Sequence, residues 1–311
     1  MHKSKRVLVV GGSGFIGSHV ADQLSHAGYK VHIFDKVKSR WINEDQDITV
    51  GDHLDQSLVN SLVSKTDLVY HFASIADIAE ANLEPVEAVK QNILATTYLL
   101  DACSKANVER FIFASSLYVY SNYGGFYKST KQASEFLIED YQKLKGLEYT
   151  ILRFGSLYGP RANKFNWVHS AIWQALTEGS IERDGDGQEV RDYIHVLDAA
   201  KASVDILDDK FKNKSVLLTG SPSIKVKDLM MMIKAILGDK ISLNFHDKKT
   251  QGHHYGLTPY AFRPKIAEKY TSHTQIDLGQ GLLDTIFEVY KLASEAGEKI
   301  AFDFDAEENS N

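Results

Sequence analysis

Two residues four apart, Tyr127 and Lys131, have the types and spacing for acid–base chemistry. On a helix, positions i and i+4 share one face. A free phenol titrates near ~10. A neighbouring ammonium stabilises the phenolate and brings the tyrosine toward neutrality, where it can take or give a proton. The same lysine can hold a ribose. Ser115 and Ser116 close the apolar run Phe111 to Ala114. Either hydroxyl could bond a reacting oxygen, or both could cap a strand end. A third cluster is Gly11-Gly12-Ser13-Gly14-Phe15-Ile16-Gly17, with Gly11, Gly14 and Gly17 spaced GxxGxxG. Glycines there permit a tight turn and a close approach of backbone to pyrophosphate, while the free amides of a following helix hold the phosphates. Asp35 follows at the end of the next apolar run. A carboxylate at that place accepts the adenosine ribose hydroxyls and repels a 2′-phosphate, which favours NAD. Lys36, Lys38 and Arg40 close behind leave NADP as the alternative.

Elements must hold these groups in place. Arg6–Val10, Lys30–Asp35, Asp47–Val50, Asp67–His71, Arg110–Ala114 and Tyr149–Arg153 read as short buried strands. Helical patterns cover 14–27, 57–64, 85–106 and 126–145 between them. This alternation predicts an α/β fold, a doubly wound parallel sheet with helices on both faces. After about Gly155 the rhythm breaks. Helices are predicted over 165–178, 198–208, 228–237 and 278–294, a turn at Asp184-Gly185-Asp186-Gly187, and a strand at Val216–Leu218, together a smaller mixed α/β part.

Composition narrows the class. The 311 residues carry a net charge of −6 and no basic block, which argues against wholesale nucleic-acid binding. No apolar run is long enough to cross a membrane, and Val7–Val10 is too short for a secretory core. The lone Cys103 closes no intrachain disulfide and builds no zinc cage, so a reducing cytoplasm is expected. Cys103, His195 and Met230–Met232 read as packing residues, and adjacent His253-His254 as a loop or pocket pair rather than a metal site.

The GxxGxxG spacing resembles the short-chain dehydrogenase/reductase superfamily, and Tyr127-Lys128-Ser129-Thr130-Lys131 matches its YxxxK. Ser115-Ser116-Leu117-Tyr118-Val119-Tyr120 resembles the "SSxxVYG" of nucleotide-sugar epimerases and dehydratases, and Gly51-Asp52-His53-Leu54-Asp55 their "GDxxD". His71-Phe72-Ala73-Ser74 resembles "HxAA", and Asn92 with Thr96 "NxxGT", with Ala95 in place of the glycine. Leu152 to Arg161 resembles "LRxxNVYGPR", and Arg191 to Asp198 "RDYIHVxD". Over about two thirds of its length the chain is thus similar to the extended branch, the NAD-dependent epimerase/dehydratase family.

The resemblance implies a Rossmann domain over 1–155 and a nucleotide-sugar-binding cap over 156–311, with room for the chain to cross back to the sheet. It makes Ser116, Tyr127 and Lys131 catalytic, with Ser115 the runner-up to Ser116. It assigns NAD to Gly11, Gly14, Phe15, Ile16, Gly17, Asp35, Lys36, Asp52, His53, Phe72, Ala73, Ser74 and Asn92, with Tyr127 and Lys131, and substrate to Ser156, Arg191, Tyr193 and Arg263. It implies a homodimer built through the segments 85–106 and 126–145. The implied activity is oxidation of a nucleotide-sugar hydroxyl at C4, as a 4-epimerase or a C4 dehydrogenase of a hexose or heptose. The alternatives are a 4-keto-sugar reductase and a non-catalytic dinucleotide sensor. Leu117 and Tyr118 stand where the 4,6-dehydratases carry an acidic pair, which disfavours dehydration and decarboxylation. Ser156 replaces a frequent asparagine. Ile266 stands where an acid usually follows the second arginine. The short Gly124-Gly125-Phe126-Tyr127 loop is similar to that of the capsule-heptose C4 dehydrogenases.

Overall fold

The computed structural model describes residues 5–220, 222–246, 268–271 and 275–301. In chain order, β1 (Arg6–Val10) turns into α1 (Phe15–His26), followed by β2 (Lys30–Asp35), β3 (Gln46–Val50), α2 (Gln56–Val63) and β4 (Leu68–His71). Then come α3 (Ile78–Leu83), α4 (Pro85–Val89), α5 (Ala95–Lys105), β5 (Arg110–Ser116), α6 (Gly125–Lys145) and β6 (Tyr149–Phe154). All these strands run parallel, with β1 between β2 and β4. The order reverses between β1 and β4, and that switch point opens a crevice at the carboxyl edge of the sheet. β5 and β6 are buried along their whole length, as a sheet covered on both faces requires. One face packs on α2, α5 and α6 through Val59, Leu99, Cys103 and Ile138.

Beyond β6 the chain adds β7 (Ser156–Tyr158), α7 (Trp167–Glu178), β8 (Ser180–Asp184), β9 (Val190–Arg191), β10 (Tyr193–His195) and α8 (Val196–Asp205). It continues with β11 (Lys214–Leu218), β12 (Ile224–Lys225), α9 (Val226–Ile236), β13 (Ser242–His246), β14 (Glu268–Tyr270) and α10 (Leu278–Glu295). β11 and β14 return to the main sheet beside β6, making it eight-stranded. α8 lies against α1, and Ala199, Ala202, Phe211 and Val216 belong to the core cluster that contains Val7, Leu24 and Ile33. The other late elements form a second core around Ile172, Leu176, Ile181, Leu229, Ile233 and Ile286. The mixed α/β cap is therefore real, and residues 196–218 leave it to close the second face of the sheet.

Two local departures from the sequence reading matter for the site. The helix predicted over 85–106 is interrupted by a π-helical turn, Lys90–Leu94, between α4 and α5. A π-turn adds a residue to one helical turn and is frequent where a side chain must be aimed. Here it accompanies Asn92, whose carboxamide bridges the Ile75 backbone and Thr130. α6 lacks a side-chain cap of its own. It starts from left-handed Gly124, and Asn82 at the end of α3 accepts the Phe126 amide at 3.0 Å. A Cβ on Gly125 would collide with that Asn82 oxygen. α7 begins at Trp167 because Asn166 caps it, accepting the His169 amide.

Candidate active site

The glycine turn is a cradle that side chains would fill. Gly11 has φ +83°, and a Cβ there would collide with the Ala73 amide. A Cβ on Gly17 would collide with the Gly11 carbonyl. Gly14 opens α1, leaving the amides of Phe15, Ile16 and Gly17 at the helix N-terminus without intrahelical acceptors. Asp35 ends β2 beside this turn and accepts from the Ser13 amide at 2.9 Å and the Val37 amide at 3.2 Å. Those bonds orient its carboxylate at the mouth of the crevice. Lys36 pairs with Asp52 at 3.3 Å. Burial opposes ionisation of Asp52, yet the Leu54 amide and the Lys36 ammonium hold its carboxyl below the usual range. His53 and His71 meet edge to face behind this corner, and burial depresses both, His71 far below its ordinary value, so both are neutral near pH 7. Phe72 and Ala73 donate their amides to Val10, which folds the chain after β4 back across the end of β1, and partly buried Ser74 follows. These residues fit a dinucleotide. The glycine backbone leaves room for a pyrophosphate, amides point out from the helix end, and a carboxylate ends the neighbouring strand.

Ser116, Tyr127 and Lys131 converge one strand further on. Lys131 is 3% exposed, and its ammonium donates to the Ala114 carbonyl at 2.8 Å. It lies 4.8 Å from the Phe113 ring centre and 5.9 Å from that of Tyr127. Burial lowers its pKa to about 7, with the Glu135 carboxylate pulling the other way. The Tyr127 ring is met edge-on by Tyr118 at 6.1 Å, and the Tyr118 amide donates to the Ser116 hydroxyl at 3.3 Å. Ser116, Tyr118, Tyr127 and Lys131 therefore form one contiguous cluster. Asn92 does not point its amide into the crevice. It ties the loop after Ser74 to Thr130, within the Tyr127–Lys131 turn, so it positions the cluster.

The two serines part company. Successive residues of a strand face opposite ways. Ser115 turns inward and donates to Glu135 Oε1 at 2.5 Å. Arg153 grips the same carboxylate through Nε at 3.0 Å and Nη2 at 2.5 Å, and donates to the Tyr120 hydroxyl. Sequence reasoning missed this buried network. Its one legible sign was Glu135, a helical turn beyond Lys131.

Beyond β6, Ser156 and Tyr193 are register partners across β7 and β10, and Ser156 donates its amide to the Asp192 carbonyl at 2.8 Å. Tyr193 packs edge-on to Tyr158, and buried Arg191 sits on β9 two residues earlier. Arg263, together with His253 and His254, lies outside the described residues. A hollow of about 310 Å³ opens in the cap between α7, β8 and β13, lined by Trp167, Gln174, Arg183 and His246 among others. Arg183 stacks on Trp167 and pairs with Glu189, just before Arg191. Sequence reasoning also missed this hollow, because β13 was not predicted. Arg161 clamps the two parts together. It pairs with Asp22 of α1 at 2.7 Å, donates its amide to Glu288 of α10 and lies over Trp41.

The model of the NAD dependent epimerase/dehydratase family matches residues 7–218. The chain belongs to this family of NAD-dependent, nucleotide-sugar-modifying enzymes. It is 29% identical over 297 residues to a putative UDP-glucose 4-epimerase of Methanocaldococcus jannaschii, covering 89% of this chain and 95% of that one. The crystal structure of a Thermotoga maritima UDP-glucose 4-epimerase with UDP-glucose superposes with a TM-score of 0.82 at 25% identity, over 92% of this chain and 99% of that one. A Bacillus cereus UDP-glucuronic acid 4-epimerase with UDP-glucuronic acid and NAD shares the fold at TM-score 0.79 and 24% identity, over 92% and 99% of the two chains.

Proposed function

We propose that this protein uses NAD to oxidise a nucleotide-sugar hydroxyl at C4, as a 4-epimerase or a C4 dehydrogenase of a nucleotide-activated hexose or heptose. The contiguity of Ser116, Tyr127 and the buried Lys131 at the carboxyl edge of the sheet, two strands from the glycine cradle, carries this reading. NAD, when bound, supplies the hydride acceptor, held by Gly11, Gly14, Phe15, Ile16 and Gly17 at its pyrophosphate and Asp35 at its ribose. Tyr127 takes the hydroxyl proton. Lys131 stabilises the phenolate form of Tyr127 that accepts this proton, and would bond the nicotinamide ribose. Ser116 bonds the same sugar oxygen and fixes which hydroxyl faces Tyr127. A 4-epimerase then returns the hydrogen to the other face of the ketone, whereas a net dehydrogenase lets the ketone go. Arg191 and Tyr193 meet the diphosphate, Arg191 as a planar charged fork, with Ser156 close to the sugar. The adjacent hollow with Trp167 suits the base, which can stack there while Gln174 bonds its edge. A keto-sugar reductase is the same step reversed, with Tyr127 giving the proton. A sensor needs no buried lysine beside a tyrosine, and a buried lysine is costly.

The test is hydride transfer. A panel of nucleotide sugars is incubated with the protein and NAD or NADP, and reduced nicotinamide is followed by absorbance. The reading expects a signal with NAD exceeding that with NADP, and mass spectrometry of co-purifying ligands names the nucleotide. Binding of sugar and cofactor with no transfer in either direction overturns it in favour of a sensor.

The assembly we propose is a homodimer in a reducing cytoplasm. Leu83 (80% exposed), Val86, Phe136 (57% exposed) and Leu144 leave apolar side chains uncovered on and beside the neighbouring helices α4 and α6. Two such pairs meeting about a twofold axis bury them in a four-helix contact. Sedimentation at micromolar concentration should give twice the 34.8 kDa chain mass. A monomer there contradicts the assignment.

A further inference from the structure

We propose that Glu135, anchored by Arg153 and Ser115, is a positioning residue whose buried carboxylate keeps the Lys131 ammonium charged, an inference that rests on the catalytic reading of Tyr127 and Lys131. The observation behind it is an expense that packing alone does not explain. Arg153 is 1% exposed and Glu135 6%, and they form a two-point ion pair inside the domain. Replacing such a pair by apolar residues of like volume is commonly neutral or stabilising, so a retained one calls for a role.

Its position supplies that role. Glu135 is one helical turn beyond Lys131 on α6, on the same face. The groups around the ammonium come from four elements. α6 supplies Tyr127 and Glu135, and β5 the Phe113 ring and the Ala114 carbonyl. β4 supplies His71, which burial keeps neutral, and β6 supplies Arg153, turned toward Glu135. Glu135 is thus the one carboxylate among these groups. Burial pushes the Lys131 pKa down, and the Glu135 charge opposes that. Arg153 and Ser115 hold the carboxylate in place, and they tie the helix that carries Tyr127 to the strand that carries Ser116. A neutral Lys131 would neither stabilise a Tyr127 phenolate nor attract it.

The experiment reads Lys131 directly, without substrate. Its side-chain nitrogen is titrated by NMR on isotope-labelled protein, with the signal assigned by its loss in Lys131→Met. In Glu135→Gln the titration should move to lower pH by about one unit, a tenfold change in the dissociation constant, as expected for one charge a few ångströms away in a partly screened interior. Ser115→Ala, which removes a hydrogen bond and no charge, should leave it in place. Glu135→Gln strands Arg153 and can fail to fold. The double variant Glu135→Gln, Arg153→Met removes both charges and should show an acid shift of the same sign and smaller size, since the Arg153 charge opposes that of Glu135 from further away. A folded variant of either kind whose Lys131 titrates as in the wild type overturns the proposal. Hydride transfer is measured in parallel. A shifted titration with unchanged transfer upholds the role of Glu135 and instead removes Lys131 from the catalytic reading.

Discussion

Lys131 is held where water cannot reach it, and that has a measurable cost. Its pKa in the fold lies near 7, against 10.5 for an exposed lysine. Between those two values the unfolded chain binds the proton that the fold gives up, so stability rises with pH across that window. Below it the full burial penalty applies. Lys131→Met should therefore stabilise the cofactor-free protein at pH 7 by an amount on the order of 4 kcal/mol, read as a higher melting temperature. The gain should shrink as the pH approaches 10.5. The same variant should lose hydride transfer and bind cofactor more weakly. An unchanged or lowered melting temperature would mean the ammonium is better solvated than its burial indicates. Tyr127→Phe is the complementary probe. It keeps the ring against Tyr118 and removes only the titrating oxygen. Single-turnover hydride transfer should fall by about 10²- to 10⁴-fold with nearly normal binding of both ligands. Near-full transfer in this variant would remove Tyr127 from the mechanism.

The elements act as fixtures for these residues, and α6 is the clearest case. Its first turn carries Tyr127, yet a residue from another helix, Asn82, satisfies its Phe126 amide. Asn82→Ala should cost about 1 kcal/mol, as the loss of a helix cap does. It should also lower the rate of hydride transfer while leaving the affinity for NAD alone unchanged, because the glycine cradle lies on β1 and α1. Equal loss of both would place the effect elsewhere. Much of this arrangement was legible beforehand. The glycine spacing located the turn after β1, and the Tyr127–Lys131 spacing located a helix face of α6, because both patterns are local. The choice of Ser116 over Ser115 rested on the family resemblance and not on the residues themselves. It depends on which face of β5 meets Glu135, and the partner Arg153 is a strand away. The π-turn at Lys90–Leu94 was hidden too. No glycine or proline marks it, and its shape accompanies the docking of Asn92 onto Ile75 and Thr130.

At the scale of the whole molecule, the cap is fastened to the sheet through groups that acid will disturb. His19 of α1 donates to the Pro160 carbonyl, and His195 of β10 packs against Tyr158. Burial lowers both to about 4. Both are neutral in the fold, while in the unfolded chain they take up protons as the pH drops through about 6.5. Stability is thus complete above 6.5 and falls as the pH moves toward 4, by up to about 3 kcal/mol for each histidine. Denaturant midpoints measured across that range should show the decline. His19→Gln should flatten roughly half of it, and an unaltered slope would mean other groups carry the acid sensitivity. The long-range parts of this scale were the hardest to foresee. The strand at Val216–Leu218 was foreseen, but its place beside β6 was not, and the three-residue β14 carries too little pattern of its own, so that only pairing with β11 makes it a strand.

The return of β11 to the edge of β6 also bears on how the protein is made. When residue 155 leaves the ribosome, β6 has no neighbour on its far side. The α1 face of the sheet still lacks Ala199, Ala202, Phe211 and Val216. At about 5–20 residues per second, several seconds pass before residue 218 is synthesised. Throughout that interval the nascent chain exposes an apolar face and an unpaired parallel edge, both of which invite association with other unfinished chains. Slowed translation between residues 155 and 218 would lengthen that exposure, so the demand this protein makes on chaperones should depend on codon speed within that one stretch.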